Sequence, residues 1–403
     1  MSYKETTLDN GLRIVAECSP SAATSAIGFF VKTGSRDETP SLMGVSHFLE
    51  HMMFKGTNTR SAEEVDLAFD SLGAEHNAFT SGEMTAFWGA GMPEVICDIN
   101  DILMDILQPA LREQDFESEK KVILEEIAMY ADQPFWVLYE HALEKYYENQ
   151  SLGNRVLGTV ETIDSMTRDE LALYFQNRYS SSNTTVALAG RVNFDLIVDQ
   201  ISSQCGDWKN TGASRIYPEI HRTTGKTELR IDDLTQHYII MMMPGTQFSS
   251  EQKYASIALG SILGGGEGSR FHWALVDKGL ADSAATSVHV HDGYGEQIAW
   301  ATCDPKNAEE VESIMQTEMM RIVDSLEQKD LDRVIAKVAT GTAIRGERPA
   351  GNMRRLGSML TQGGRYMSLA DELLEIESLK ITDLKSIAEE FPWQPMFIAS
   401  TVH

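Results

Sequence analysis

Two histidines and a glutamate fall within five residues, His47-Phe48-Leu49-Glu50-His51. On a helix, side chains four apart lie ~40° apart around the axis, so both imidazoles can reach one ion. Glu50 stands ~60° to the other side of His47, close to that ion without having to bind it. A base placed there can take a proton from a water that the ion polarises. Accidental histidines on an amphipathic helix would give the same five residues, so the chemistry needs a third ligand. A catalytic zinc takes three protein ligands and leaves a fourth position for water.

The H-x-x-E-H order is the inverted zincin spacing. The stretch Asp115–Met129 reads as a long helix. Laid out at ~100° per residue, it places Phe116, Val122, Ile123, Ile127 and Tyr130 in one arc. Glu119 and Glu126, seven apart, fall inside that arc. Glu117, Lys121 and Glu125 fall opposite, where Lys121 and Glu125 can pair. A carboxylate on an apolar face needs a partner, because a buried unpaired charge is strongly unfavourable. An ion held by His47 and His51 is such a partner. The expected set is therefore Zn2+ on His47, His51 and Glu126, with Glu50 as the catalytic base. Glu119 is expected to support a ligand or act as an alternate carboxylate, and Glu125 to be solvated.

The elements that must position this set belong to a chain of 403 residues, long enough for two or three domains. It is 42% hydrophobic and 23% charged, an ordinary folded composition. The formal charge of -26 argues against nucleic acid and anionic membrane as partners. No apolar run approaches a membrane span, and the polar start Met1-Ser2-Tyr3-Lys4-Glu5 has no apolar signal core. Four widely spaced cysteines suggest neither a disulfide framework nor a thiolate zinc site. A cytoplasmic location is the simplest expectation, although a mature organellar or exported chain would look the same. Strands are expected at Thr24–Val31 and Thr184–Ala189, and a helix after the capping box Ser61-Ala62-Glu63-Glu64. Residues 209–226 lack a clear period and read as a linker. Both halves run strands, helix, strand pair, helices, strand. The expectation is α+β, with two homologous domains at 1–212 and 227–403, each a mainly antiparallel sheet with helices packed on one face.

The residues Gly44 to Thr57 around His47-Phe48-Leu49-Glu50-His51 resemble the active-site helix of the pitrilysin, insulysin and mitochondrial processing peptidase family. Glu119 to Ile127, with Glu125-Glu126-Ile127, resembles that family's second helix. The resemblance places the third zinc ligand on Glu126 and the companion carboxylate on Glu119. Gly73-Ala74-Glu75-His76-Asn77-Ala78-Phe79-Thr80-Ser81 resembles the family's edge strand. It implies that Asn77 and Ala78 pair with the substrate backbone, and that Phe54, inside the first motif, contacts substrate. Gly158-Thr159, Tyr179 and Ala189-Gly190 also follow the pattern. The likeness implies a zinc endopeptidase of the half-size bacterial type, acting on short or unfolded peptides. Members of this size pair into dimers that enclose a chamber, so a homodimer, or a heterodimer with a homologous subunit, is implied.

One departure stands out. Relatives carry an Arg and a Tyr seven apart in a stretch of the form L-R-E-K-x-G-L-A-Y, where they are thought to hold the substrate carbonyl. Here Leu275-Val276-Asp277-Lys278-Gly279-Leu280-Ala281-Asp282 is one residue shorter. Val276 and Asp282 occupy the two positions. A partner chain carrying the pair, other residues of this chain, a slow or selective enzyme, or loss of activity with peptide binding kept, would each explain that. Neither Arg270 nor Tyr294 falls at those positions. Two further signals are weak. Gly264-Gly265-Gly266-Glu267-Gly268-Ser269 lacks the Lys-Ser/Thr of a phosphate loop and reads as a turn. His289-x-His291 puts two rings on one side of a strand, but two ligands without a third do not make a metal site.

Overall fold

Residues 25–31, 85–91 and 184–190 are continuously apolar or small, the pattern of strands covered on both faces. In the computed structural model, which describes residues 1–402, they lie side by side in one sheet. In chain order, β1 (Ser2–Thr7), β2 (Arg13–Cys18) and β3 (Ser25–Val31) lead to α1 (Val45–Met53) and α2 (Ala62–Ser71). The hairpin β4 (Glu75–Thr80) and β5 (Thr85–Gly91) follows, then α3 (Ile96–Ile106), α4 (Glu113–Ala131) and α5 (Pro134–Tyr146). Next come α6 (Val160–Ser165), α7 (Arg168–Arg178), β6 (Thr184–Gly190) and α8 (Phe194–Cys205). The second half runs β7 (Gly225–Arg230), β8 (His237–Pro244), α9 (Lys253–Gly264), β9 (Ser283–His291) and β10 (Tyr294–Cys303). It closes with α10 (Ala308–Met320), α11 (Gln328–Glu347), α12 (Pro349–Thr361), α13 (Leu369–Glu377), α14 (Ile381–Glu390) and β11 (Phe397–Val402).

The strands form a six-stranded sheet, β1-β2-β6-β3-β5-β4, and a five-stranded sheet, β7-β11-β8-β10-β9. In each, one pair is parallel, β2 with β6 and β7 with β11, and every other pair is antiparallel. Without β1 the two orders are the same. The chain is therefore two homologous α+β domains, as the sequence pattern suggests.

Each domain is a compact unit drawn from interleaved segments. The first takes Met1–Met129, Asn154–Pro218 and Ile344–Tyr366. The second takes Tyr130–Gly153, Glu219–Ala343 and the chain from Met367 onward. The segments interleave because each sheet has a second face to cover. In the first unit the main helical layer buries Ile14, Ile27, Phe29, Phe87 and Val186 against Phe48, Ile102 and Phe116. The opposite face carries Val15, Phe30, Trp88 and Ala187, and α12 covers it with Met353, Leu356 and Leu360. In the second unit Met241 and Met243 face α9, while Ile240 and Met242 meet Leu138, Ala142 and Tyr146 of α5. Met241-Met242-Met243 is thereby buried on both faces, which explains three consecutive unbranched apolar residues in one strand. Among the described residues no helix is long and apolar enough to cross a membrane.

Candidate metal centre

The helix that bears the motif starts at a tightly constrained corner. Gly44, its N-cap, has φ of 94°, and a Cβ there would sit 2.7 Å from the Leu157 carbonyl oxygen. Only glycine fits both conditions. The first helical amides would otherwise be orphaned in the interior. The buried Glu38 accepts from the N–H of Gly44 at 2.7 Å and of Ser46 at 2.8 Å. Burial pushes the Glu38 carboxyl up to about 7, despite those two bonds. Next to it, Asp37 accepts from Arg215 Nε at 3.0 Å and Nη2 at 2.7 Å, and from Arg178 Nη2 at 3.0 Å. On the other side, Phe48 stacks on Phe116 of α4, with ring centroids 4.6 Å apart and planes at 8°. This contact sets the register between the two helices that carry the candidate ligands.

Three of the expected side chains converge. His47 Nε2 lies 3.8 Å from Glu126 Oε2, and His51 Nε2 lies 3.6 Å from the same oxygen. One ligand atom from each lies within 4.8 Å of the other two. His51 Nδ1 is 2.7 Å from Glu119 Oε1, and Lys55 Nζ is 2.6 Å from Glu119 Oε2. Both Glu119 oxygens are thus engaged. A carboxylate on Nδ1 keeps the proton there and leaves the Nε2 lone pair free for an ion. Burial pulls the His51 imidazole down, but Glu119 outweighs it and holds the ring above its usual range. Burial would raise the Glu119 carboxyl, but His51 and Lys55 hold it below the usual range. His47, almost fully buried, is pushed down to about 4 by burial and by His51, so it is neutral at pH 7. Two imidazoles and one carboxylate, with Nε2 and Oε2 atoms gathered, suit zinc chemistry. Glu50 accepts from Thr80 Oγ1 at 2.5 Å, and burial pushes its carboxyl up.

The α4 arc differs in part from the expected one. Phe116, Glu119 and Ile123 are buried and Glu126 and Ile127 half-buried, but Val122 and Tyr130 are exposed. Glu117, Lys121 and Glu125 are exposed, as expected. Val122 stands at the edge of the arc away from Phe116, and Tyr130 lies past Ile127 near the end of α4.

The other expected residues are placed as follows. Asn77 and Ala78 lie on β4, the edge strand beyond β5. Asn77 is exposed, and the Ala78 N–H donates to Asn77 Oδ1 at 2.7 Å. Phe54 caps the end of α1, its ring 6.2 Å from those of His76 and Phe87. Val276 packs against the core of the second unit. Asp282 is exposed and accepts from Gln236 Nε2 at 3.0 Å. Arg270 is bound to Asp330 at 2.6 Å and to the Ser325 carbonyl at 2.8 Å. Two participants escaped the sequence reading. Lys55 follows His51 by four residues, the same helical step that links His47 to His51. Thr80 shares with His76 and Ala78 the parity that faces α1.

Residues 13–160, which hold both helices of the candidate centre, match the family described as Insulinase (Peptidase family M16). Residues 165–338 match the Peptidase M16 inactive domain. An uncharacterized zinc protease of Streptomyces coelicolor is 32% identical over 399 residues, covering 96% of this chain and 87% of the relative. The chain belongs to peptidase family M16. A second relative, the uncharacterized zinc protease YmxG of Bacillus subtilis, is 31% identical over 96% of this chain and 95% of its own. These proportions make this an M16 chain of the half-size bacterial type. A crystal structure of a protease from Helicobacter pylori shares the fold, with a TM-score of 0.91, full coverage of both chains and 21% identity.

Proposed function

We propose that this M16 chain is a zinc-dependent endopeptidase in which His47, His51 and Glu126 hold the ion and Glu50 is the catalytic base. The convergence of two Nε2 atoms on Glu126 Oε2, with Glu119 fixing the nearer ring, carries this reading. The naming of both relatives as zinc proteases supports it. A bound Zn2+ supplies a Lewis acid that polarises a water and the scissile carbonyl. Glu50 takes the water's proton at its carboxylate and returns it to the leaving amine. Thr80 holds one Glu50 oxygen and leaves the other for that transfer. Glu119 and Lys55 keep His51 oriented through Nδ1. Asn77 and Ala78 offer an open strand edge, which reads extended backbone and not side chains, and Phe54 flanks it. Short or unfolded peptides are the substrates such an edge suits. The family resemblance adds a dimer of four domains enclosing a chamber.

A second reading has a specific observation behind it. The side chains of Val276 and Asp282 present no N–H or O–H donor where relatives carry Arg and Tyr. In this reading the chain is the zinc subunit of a heterodimer whose homologous partner supplies that pair. The deciding experiment for the zinc centre is Glu50→Gln. The variant is expected to bind zinc stoichiometrically and to lose ~10²–10⁴-fold in peptide hydrolysis. Full activity in that variant would remove Glu50 from the mechanism.

A further inference from the structure

The second unit contains a constellation that the peptidase reading does not use. β9 and β10 are joined through the two-residue turn Asp292-Gly293, where Gly293 has φ of 84°. His289 and His291, two apart on β9, project to one face. Glu296 on β10 lies directly opposite His289 in the ladder. Its side chain is 4% exposed, and its Oε2 accepts from Tyr147 Oη at 2.5 Å. That bond turns Oε1 toward both imidazoles, 3.4 Å from His289 Nδ1 and 3.6 Å from His291 Nε2. One ligand atom from each residue lies within 4.8 Å of the other two. The His291 ring is fixed by stacking on Tyr294, centroids 4.4 Å apart.

The spacing discriminates between a hydrogen-bonded triad and a metal site. A charge-assisted N–H to carboxylate bond closes to ~2.7–2.9 Å. Two ligands on a tetrahedral ion at ~2.1 Å stand ~3.4 Å apart. The His289 Nδ1–Glu296 Oε1 hydrogen bond is long at 3.4 Å, and 3.4 and 3.6 Å together fit the second geometry and parallel the 3.6 and 3.8 Å at the first centre. We propose that His289, His291 and Glu296 form a second site for a divalent transition ion, separate from the His47-His51-Glu126 centre. Two imidazoles select zinc, cobalt, nickel or copper over magnesium and calcium, which prefer all-oxygen shells. The His289 and His291 side chains are 34% and 24% exposed, so the ion has a path from solvent. Tyr147, just past α5, orients the carboxylate. A bound ion thus pins the tip of the β9–β10 hairpin to the end of that helix.

The test is zinc alone, titrated into the chelator-stripped full chain. The expected result is two zinc equivalents per chain, falling to one in His289→Gln/His291→Gln and to one in His47→Gln/His51→Gln. One equivalent in the wild type that persists in the His289/His291 variant, or two retained in that variant, would overturn the proposal. A second measurement does not depend on that variant folding. Cobalt(II) added to His47→Gln/His51→Gln should give the visible absorption of a low-symmetry nitrogen–oxygen site, and its absence sinks the idea. Since the readout is stoichiometry and colour, failure here leaves the peptidase reading untouched.

Discussion

At the scale of single residues, the candidate centre is a lesson in helical period. His47, Glu50 and His51 share one helix, and Glu119 and Glu126 another. Each pair or triplet is spaced to fall on one face, so all five were legible without coordinates. Thr80 was not, because its contact with Glu50 depends on a strand pairing that no local pattern specifies. Lys55 could have been found by extending the i, i+4 step once more. The Lys55–Glu119–His51 chain leads to a specific expectation. Glu119→Gln should retain the fold but weaken zinc affinity ~10–100-fold, because Nδ1 of His51 loses its carboxylate partner. Competition with a chromogenic chelator measures this. Unchanged affinity would mean that His51 is oriented by packing alone.

At the scale of elements, the entry to α1 and the cover of the first sheet make separable predictions. Asp37, Glu83 and Arg215 form a buried charged cluster whose side chains are 1–4% exposed. Removing one member strands its partners in a low-dielectric interior. Asp37→Ala should therefore cost ~3–5 kcal/mol in denaturant unfolding. Glu38 makes stability depend on pH. Its folded-state value of about 7 lies above the ordinary 4.5, so between those values the folded form binds more protons than the unfolded one. Its contribution to stability is then present below the ordinary value and is lost as pH rises toward 7. Wild type should lose more stability than Glu38→Gln between pH 4.5 and 7, and parallel curves would refute the assignment. The cover is probed at Gly357, where a Cβ would stand 2.1 Å from the Phe30 ring. Gly357→Ala should destabilise the protein by ~1–3 kcal/mol through overpacking, visible as a lower Tm. That α12 covers the first sheet and α5 the second was not legible in the sequence. Each helix has an apolar face, but nothing local says which sheet receives it. Helices α6, α7, α8 and α13 were also missed. In α7 only Leu171 and Tyr174 are buried, too few to mark a period.

At the scale of the whole molecule, the open question is where the substrate carbonyl finds its donors. Val276 is an apolar side chain packed into the core of its unit, and Asp282 is an exposed carboxylate that accepts from Gln236. Arg270, a few residues upstream, is held by Asp330 and the Ser325 carbonyl. A missing oxyanion donor commonly lowers turnover ~10²–10³-fold without disturbing the metal. The zinc-loaded chain alone is therefore expected to hydrolyse a quenched peptide slowly. Adding a homologous subunit that carries Arg and Tyr at these positions should raise the rate by about that factor. Native mass measurement of the mixture should show one copy of each chain. With a formal charge of -26 on this chain, pairing with a less acidic partner should also be favoured at low ionic strength over pairing with itself. If the single chain is fully active as a homodimer, and the mixture is no faster, the donors belong to this chain and the heterodimer reading fails.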